Sequence, residues 1–158
     1  MRTTYRVLAT LVCALVALQA AFHVWATAGM GIWIDEGGVL DKGTGEAIGA
    51  GEQPWPELTG FILHGMSGMF VIPVAALSLV VVALVARFPG AVPRALLVLA
   101  LVVTQVTLGL LGHSYPWLGF LHGINALVLF TAAFTAQRHA AVRAATAAPA
   151  REAVDAVR

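Results

Sequence analysis

Charge is the scarcest property of this chain. Only 11% of its 158 residues are Asp, Glu, Lys or Arg, whereas 59% are hydrophobic. A water-soluble domain of this size could not cover its surface with so few charges. We therefore expect an integral membrane protein whose surroundings are a lipid bilayer, and we expect no nucleic-acid partner.

Two further absences narrow the class of protein. The single cysteine, Cys13, cannot form a disulfide within the chain, and we interpret it as a small buried apolar residue. The apolar runs are continuous and do not alternate with polar residues, which excludes a closed β-barrel. We therefore expect the chain to cross the membrane as α-helices.

Four stretches are nearly free of charge and reach the roughly 18–20 residues that a helix needs to cross a bilayer. We predict an all-α protein, a bundle of four transmembrane helices with an outer loop at 29–57 and an Ala-rich cytoplasmic tail at 140–158. The first stretch begins like a signal peptide, but it is too long for one and we expect it to be retained. The predicted helices lie at about 6–28, 58–86, 92–113 and 117–138.

The basic residues are divided unequally between the two sides of the membrane in this four-span prediction. Lys42 lies in the acidic outer loop, and every arginine lies on the other side. By the positive-inside rule both termini are cytoplasmic. We expect a multi-pass protein of the bacterial plasma membrane, with a solvated, irregular outer loop that could alternatively dock a cationic partner. The arginines are Arg2, Arg6, Arg87, Arg94, Arg138, Arg143, Arg151 and Arg158.

The segment Leu-His-Gly occurs twice, around His64 and around His122, each time inside an apolar run. An ionisable side chain at membrane depth costs free energy, so both histidines are functional candidates. His23 and His113 lie near the outer ends of the other two predicted helices. The chain therefore gathers one histidine per helix toward its outer side.

An internal repeat relates the two halves. A Leu-Val-x-x-Gln segment ends at Gln19 in the first predicted helix and at Gln105 in the third, and the Leu-His-Gly segments follow in the same order. This pattern predicts tandem helical hairpins related by an axis along the membrane normal. Such an axis would place His64 and His122 at equal depth. The glutamines would face inward, either as hydrogen bonds between helices or as groups that orient a histidine.

Two imidazoles at one depth, with small residues beside them and apolar walls, suit a haem held by two axial ligands. Gly65 and Gly68 lie near His64 in sequence, and Gly123 follows His122. We predict that His64 and His122 ligate the iron. With both axial positions filled, electron transfer is expected rather than catalysis, with a quinone or an extracytoplasmic protein as redox partner.

The remaining candidates for cofactor binding are His23, His113, Gln19 and Gln105. His23 follows its glutamine by four residues and His113 by eight, which argues against a second haem between them. We expect His113 near the mouth of the site, beside a charged group such as a propionate. Asn125 is expected to cap a helix or cross-link helices near the site.

Two other functions fit the same residues. Small residues also let membrane helices pack closely without a cofactor, so the chain could be a non-enzymatic membrane subunit or scaffold whose histidines are structural. An oligomer is possible in either case. A protein that binds a quinone or a small solute is the second alternative. The charge-free stretches 7–28, 58–86, 95–112 and 117–137 contain no Asp, Glu, Lys or Arg to relay ions, which disfavours a transporter. No carboxylate or thiol accompanies the histidines, which disfavours a transition-metal site.

With these segments in place, including Leu121-His122-Gly123-Ile124-Asn125-Ala126-Leu127, the chain resembles a family of small four-helix bacterial membrane proteins whose last helix carries a similar motif. More distantly, it resembles one four-helix half of haem A synthase. That resemblance implies b-type haem at His64 and His122. It does not imply the synthase activity, because that enzyme uses two such halves and this chain supplies one.

Overall fold

The computed structural model describes the backbone of residues 1–155 and the side chains of residues 1–142. Over residues 1–155 it contains helices and turns, without a strand. A π-helical turn, Ser67–Val71, joins the third helix to the fourth. The helices are α1 (Arg2–Asp35), α2 (Lys42–Gly49), α3 (Leu58–Met66), α4 (Ile72–Ala86), α5 (Ala91–Gly112) and α6 (Pro116–Asp155).

Four helical segments of the described chain are long and apolar enough to cross a membrane. The second of them runs through α3, the π-turn and α4 without interruption. An all-helical chain with four candidate spans is confirmed, and it is that of a multi-pass membrane protein. The segments are Arg2–Asp35, Leu58–Ala86, Ala91–Gly112 and Pro116–Val142.

Helical structure extends further than the sequence pattern predicts. α1 continues past residue 28 to Asp35, where Gly37 adopts a left-handed φ of 101° and its N–H bonds to the Ile34 carbonyl. The Gly38 N–H bonds to the Trp33 carbonyl, which completes a Schellman ending. α6 continues through the predicted tail to Asp155, in keeping with the high helix propensity of alanine.

The predicted irregular loop also contains a helix, α2. Asp41 caps its first turn, because the side-chain oxygen accepts the Thr44 backbone N–H at 2.9 Å. This hydrogen bond satisfies one of the amides that a helix N-terminus leaves without an intrahelical partner. It also holds the pKa of the Asp41 carboxyl below its ordinary value, since only the ionised form accepts so well.

The chain forms two compact units, one made of residues 1–16 with the described residues from 71 onward, the other of residues 17–70. The first unit holds a core in which α1, α4, α5 and α6 contribute buried side chains. Many of these are alanines with no exposed surface, which lets helices approach closely where lipid removes the usual hydrophobic drive. Its largest fully buried side chains are Tyr5, Leu79, Leu129, Val12, Val98 and Val102.

Tyr5 ties the start of α1 to the start of α5 within the first unit. Its hydroxyl donates to the Ala91 carbonyl at 3.2 Å, and its ring meets Phe88 edge-on with centroids 5.2 Å apart. Phe88 lies in the turn between α4 and α5. That turn reverses the chain through left-handed residues at Arg87 (φ 48°) and Gly90 (φ 81°).

In the second unit α3 approaches the backbone of α1. A Cβ on Gly60 would lie 2.5 Å from the Phe22 carbonyl oxygen, so only glycine permits this approach. Near the same end, Trp33 and Trp55 stack with ring centroids 5.0 Å apart. This unit is therefore packed by the close approach of α3 to α1 at Gly60 and by the stacked rings of Trp33 and Trp55.

The π-turn lies directly before Pro73. Proline has no N–H to continue the helical ladder, and its ring clashes with the preceding turn, so the backbone takes the wider π spacing there. The Ser67 hydroxyl donates to the Leu63 carbonyl at this point. A side chain thus supplies a hydrogen bond where the regular backbone pattern changes.

We expect Tyr5→Phe to lower the unfolding free energy by about 1 kcal/mol, because the buried Ala91 carbonyl loses its side-chain donor. Thermal unfolding of the purified protein in detergent measures the change. Tyr115→Phe is the matched control, since Tyr115 is 56% exposed. Equal midpoints for the two variants would contradict the structural role of the Tyr5 hydroxyl.

The cap of α2 should depend on pH in one direction. Because the folded pKa of Asp41 lies below its ordinary value of 3.8, the cap stabilises α2 fully above that value and is lost as the pH falls through the folded pKa. We expect the Thr44 amide resonance to titrate with a midpoint below 3.8. Asp41→Asn, which does not ionise, should abolish this titration; a persisting midpoint in that variant would contradict the assignment.

Candidate functional site

His64 is held against α1 in the second unit. Its ring nitrogen Nδ1 lies 3.0 Å from the backbone carbonyl oxygen of Gln19. A carbonyl oxygen only accepts, so this hydrogen bond needs the proton on Nδ1. The imidazole then carries its lone pair on Nε2, the tautomer of a histidine that ligates a metal through Nε2.

The side chain of Gln19 also bonds to α3, through the backbone of His64. In the orientation that satisfies its amide, Nε2 donates to the His64 backbone carbonyl at 2.9 Å, and the side-chain oxygen accepts from the Gly68 backbone N–H at 3.2 Å and lies 2.5 Å from the Ser67 hydroxyl oxygen. The same amide nitrogen lies 2.9 Å from His64 Nδ1. The two contacts to Nδ1 require opposite tautomers: a proton on Nδ1 for the carbonyl bond, and a lone pair on Nδ1 for the amide bond. The carbonyl contact recurs at His122 in the first unit, and it corresponds to the tautomer of a metal-ligating histidine.

His122 makes this bond between α6 and α5. Its Nδ1 lies 3.0 Å from the Gln105 backbone carbonyl oxygen, and the Gln105 amide nitrogen donates to the His122 backbone carbonyl at 3.1 Å. The two hydrogen bonds are reciprocal: the His122 ring bonds to the Gln105 backbone, and the Gln105 side-chain amide bonds to the His122 backbone. Both residues are partly buried.

Asn125 cross-links the same pair of helices, as predicted. Its amide nitrogen donates to the Gln105 side-chain oxygen at 2.6 Å and to the Leu101 carbonyl at 3.0 Å. Asn125 follows His122 by three residues, as Ser67 follows His64. In each unit, therefore, the residue one helical turn after the histidine contacts the glutamine amide.

One position differs between the two sets of contacts. The fourth residue after Gln19 is His23, whose ring lies 5.2 Å from that of His64 between centroids. The fourth residue after Gln105 is Gly109, where a Cβ would lie 3.1 Å from His122 Cε1. Both positions face the histidine ring, but one carries a second imidazole and the other carries no side chain.

The predicted glycines divide into two groups. A Cβ on Gly65 or Gly123 would meet no other atom within 4 Å, and both residues are exposed. A Cβ on Gly68 would lie 3.2 Å from the Gln19 side-chain amide. Gly68 therefore lets the π-turn pack on Gln19, whereas Gly65 and Gly123 lie on exposed surface.

The other histidines have different surroundings. His113 caps the C-terminus of α5, exposed, with Nδ1 3.1 Å from the Gly109 carbonyl of the preceding turn. His139 lies 2.7 Å from the Pro89 carbonyl through Nε2, at the far end of the first unit's helices. Among the described residues no three His, Cys, Asp or Glu side chains are grouped to hold a metal ion.

Sequence reasoning identified the glutamines and histidines but missed how they bond. The carbonyl oxygens that receive the imidazole protons belong to backbone and leave no trace in the sequence. The pairing of Ser67 with Gln19 was missed as well, although its spacing of three residues after His64 matches that of Asn125 after His122. This shared spacing was the feature of the sequence from which the Ser67–Gln19 contact could have been predicted.

Comparison with known proteins adds no assignment, since no family model, curated protein or solved structure matches the chain.

Gly109→Ala should disturb the His122 ring, because the added Cβ would stand 3.1 Å from Cε1 and 3.2 Å from Nδ1, the atom that bonds the Gln105 carbonyl. We expect a loss of about 1–3 kcal/mol in unfolding free energy, as for overpacking elsewhere. Thermal unfolding in detergent measures it. Gly119→Ala is the matched control, since its Cβ would meet nothing within 4 Å. Equal stability of the two variants would contradict the close approach.

Proposed function

We propose that this chain is a membrane cytochrome of the bacterial plasma membrane, in which His64 and His122 are the axial ligands of a b-type haem. The observation that carries the proposal is the twin Gln–His contact. Each histidine bonds a backbone carbonyl through Nδ1 at 3.0 Å, which directs the lone pair to Nε2. Metal-ligating histidines characteristically use the second ring nitrogen in this way.

The donor set fits a haem better than a bare metal ion. A porphyrin supplies four nitrogen ligands of its own, so the protein needs to contribute only axial imidazoles. This agrees with the absence, among the described residues, of any larger group of metal-ligating side chains. Gly65 and Gly123, next in sequence to the two histidines, are exposed and carry no side chain that would block a flat, bulky group.

When bound, such a haem supplies one-electron redox chemistry. The chain's own residues would hold and orient it. Gln19 and Gln105 fix the rotation of the two rings through their carbonyls and bond the histidine backbones through their amides. Asn125 restrains the Gln105 amide in turn. These glutamines and Asn125 are positioning residues, because they act through the histidines.

The proposal includes a tandem repeat of helical hairpins, with both termini in the cytoplasm. The recurrence of the Gln–His contacts, and of the residue one turn later, supports the repeat. The position of the arginines supports the orientation. The site would then face the outer side of the membrane. A quinone or an extracytoplasmic redox protein is the proposed electron partner.

A structural role is the competing proposal, and the same hydrogen bonds favour it. A polar side chain in hydrocarbon is stabilised by any partner on a neighbouring helix, with or without a cofactor. In that case the histidines and glutamines only join α3 to α1 and α6 to α5. The protein would then be a colourless subunit or scaffold.

Spectroscopy separates the two proposals. We expect the protein, purified in detergent after expression with haem precursor, to show a Soret band and the sharp reduced bands of a bis-histidine b-type haem after dithionite. His64→Ala and His122→Ala should each lower the haem content at least tenfold, because either change removes one of two axial ligands. The pyridine haemochrome assay measures that content.

His139→Ala is the matched control, since His139 bonds the Pro89 carbonyl at the far end of the first unit's helices and should leave haem content unchanged. A protein without a Soret band, whose His64→Ala variant changes only in unfolding temperature, would refute the cytochrome and support the scaffold. Retention of haem in both ligand variants would refute the ligand assignment.

A further inference from the structure

The end of α1 and the helix α2 carry exposed apolar side chains beside half of the protein's acidic residues. We call residues 32–46 the α1–α2 segment, and all of it lies in the second unit. It contains four of the eight Asp and Glu residues of the chain, and Lys42 is its only basic residue. Its exposed large apolar side chains are Ile32 (62%), Ile34 (43%), Val39 (64%) and Leu40 (54%).

α1 is too long to lie entirely within a bilayer. From Arg6 to Asp35 it rises about 44 Å, at about 1.5 Å per residue. The hydrocarbon core is about 30 Å thick, and the headgroups add about 5–8 Å on each side. With Arg6 at one boundary of the hydrocarbon, Asp35 stands beyond the opposite headgroups, even at a helix tilt of about 20°. The end of α1 therefore meets water or protein rather than acyl chains.

The turn that carries Val39 and Leu40 is fixed at both ends. At its start, Gly38 lies against the Trp33 ring, where an added Cβ would stand 2.3 Å from two ring carbons. At its end, the Thr44 hydroxyl donates to the Val39 carbonyl, and the Thr44 amide donates to the Asp41 carboxylate. The two apolar side chains are thus presented on an ordered backbone, which lowers the entropic cost of binding a partner.

Carboxylates flank these apolar side chains along the chain. Glu36 precedes Val39 by three residues and Asp41 follows Leu40 directly, and both acidic residues are exposed. Exposed apolar side chains inside a polar rim are the pattern of a protein-binding surface.

The charge of the segment selects the kind of partner. An anionic membrane surface repels a segment in which carboxylates outnumber lysine by four to one. A second copy of the chain that used the same surface would bring the same negative charge to the contact. A protein with a basic rim around an apolar centre complements both the carboxylates and the apolar side chains.

We propose that the α1–α2 segment is the docking surface for a soluble, basic protein, with Val39 and Leu40 at the centre of the contact and Asp35, Glu36 and Asp41 at its rim. In the proposed orientation this partner is extracytoplasmic. The docking itself does not depend on haem; that the docked protein exchanges electrons with the chain rests on the proposed function.

Biolayer interferometry tests the docking on the full chain in phosphatidylcholine nanodiscs, with a basic, soluble c-type cytochrome as the probe and empty nanodiscs as the blank. The same cytochrome with its lysines acetylated is the control, because acetylation removes their charge. We expect the native cytochrome to bind at least tenfold more tightly than the acetylated one at about 20 mM salt. This difference should shrink at about 200 mM salt, where exposed charges are screened beyond about 8–10 Å.

Charge variants of the segment should act in opposite directions. Asp35→Asn combined with Glu36→Gln should weaken binding about three- to tenfold, whereas Lys42→Gln should tighten it about twofold, because it makes the segment more negative. Glu152→Gln is the matched control, since it removes one negative charge from the other end of the chain and should leave binding unchanged. Asp41 is left in place because it caps α2.

The apolar centre is tested at about 200 mM salt. Val39→Ser combined with Leu40→Ser should weaken binding about fivefold there, since buried apolar anchors carry much of the energy of an interface. Equal affinity for the native and acetylated cytochromes, or unchanged affinity in the acidic variant, would overturn the proposal. Normal binding by the Val39→Ser, Leu40→Ser variant would also overturn it and would assign these side chains to the bilayer interface.

The haem proposal and the docking proposal fail separately in these measurements. A chain without a Soret band that still binds the native cytochrome in this pattern would support docking and refute the cytochrome. A haem-containing chain that binds neither form of the probe would refute docking alone.

Discussion

A polar side chain in hydrocarbon must find its hydrogen-bond partner within the protein, and the histidines of α3 and α6 find theirs on the backbones of α1 and α5. Helix carbonyls already accept from their own helix but keep a second lone pair. The imidazoles of His64 and His122 use that capacity at 3.0 Å. Each contact joins two helices and fixes a ring rotation, so the local packing and the proposed chemistry depend on the same contact.

Small residues make these contacts reachable. Gly60 brings α3 against the Phe22 carbonyl, and Gly112 lies against Gly119 where α5 meets α6. A reciprocal bond between a short amide and an imidazole requires backbones at this separation, because neither side chain is long. The glycines that look like cofactor space in the sequence thus serve two purposes: Gly60, Gly68 and Gly109 permit packing, whereas Gly65 and Gly123 face open space.

The helical class and the spans were predictable because a helix that crosses the bilayer needs a long run of uncharged residues, and such runs are visible in the sequence. Gln105 and Asn125 were each expected to bond between helices near His122, but their bond to each other was not predicted. The extent of α1 to Asp35, the helix α2 and the Ser67 contact were not predicted either. Helix ends depend on single residues, such as a left-handed glycine at Gly37 or a capping side chain at Asp41. Every residue has a backbone carbonyl, so the sequence does not show which carbonyl accepts a side-chain hydrogen bond. Haem, electron partner and orientation stay predictions.

The segregation of charge along the chain has a consequence for how the protein responds to an energised membrane. Arg2 and Arg6 open α1, whereas Asp35 and Glu36 stand at its other end, so this helix carries a charge dipole along its axis. In the proposed orientation the interior-negative potential of a respiring cell acts favourably on both ends. Each elementary charge is worth about 2.3 kcal/mol per 100 mV across the bilayer. The membrane potential would therefore reinforce the insertion that the arginines select and oppose any inversion of the helix.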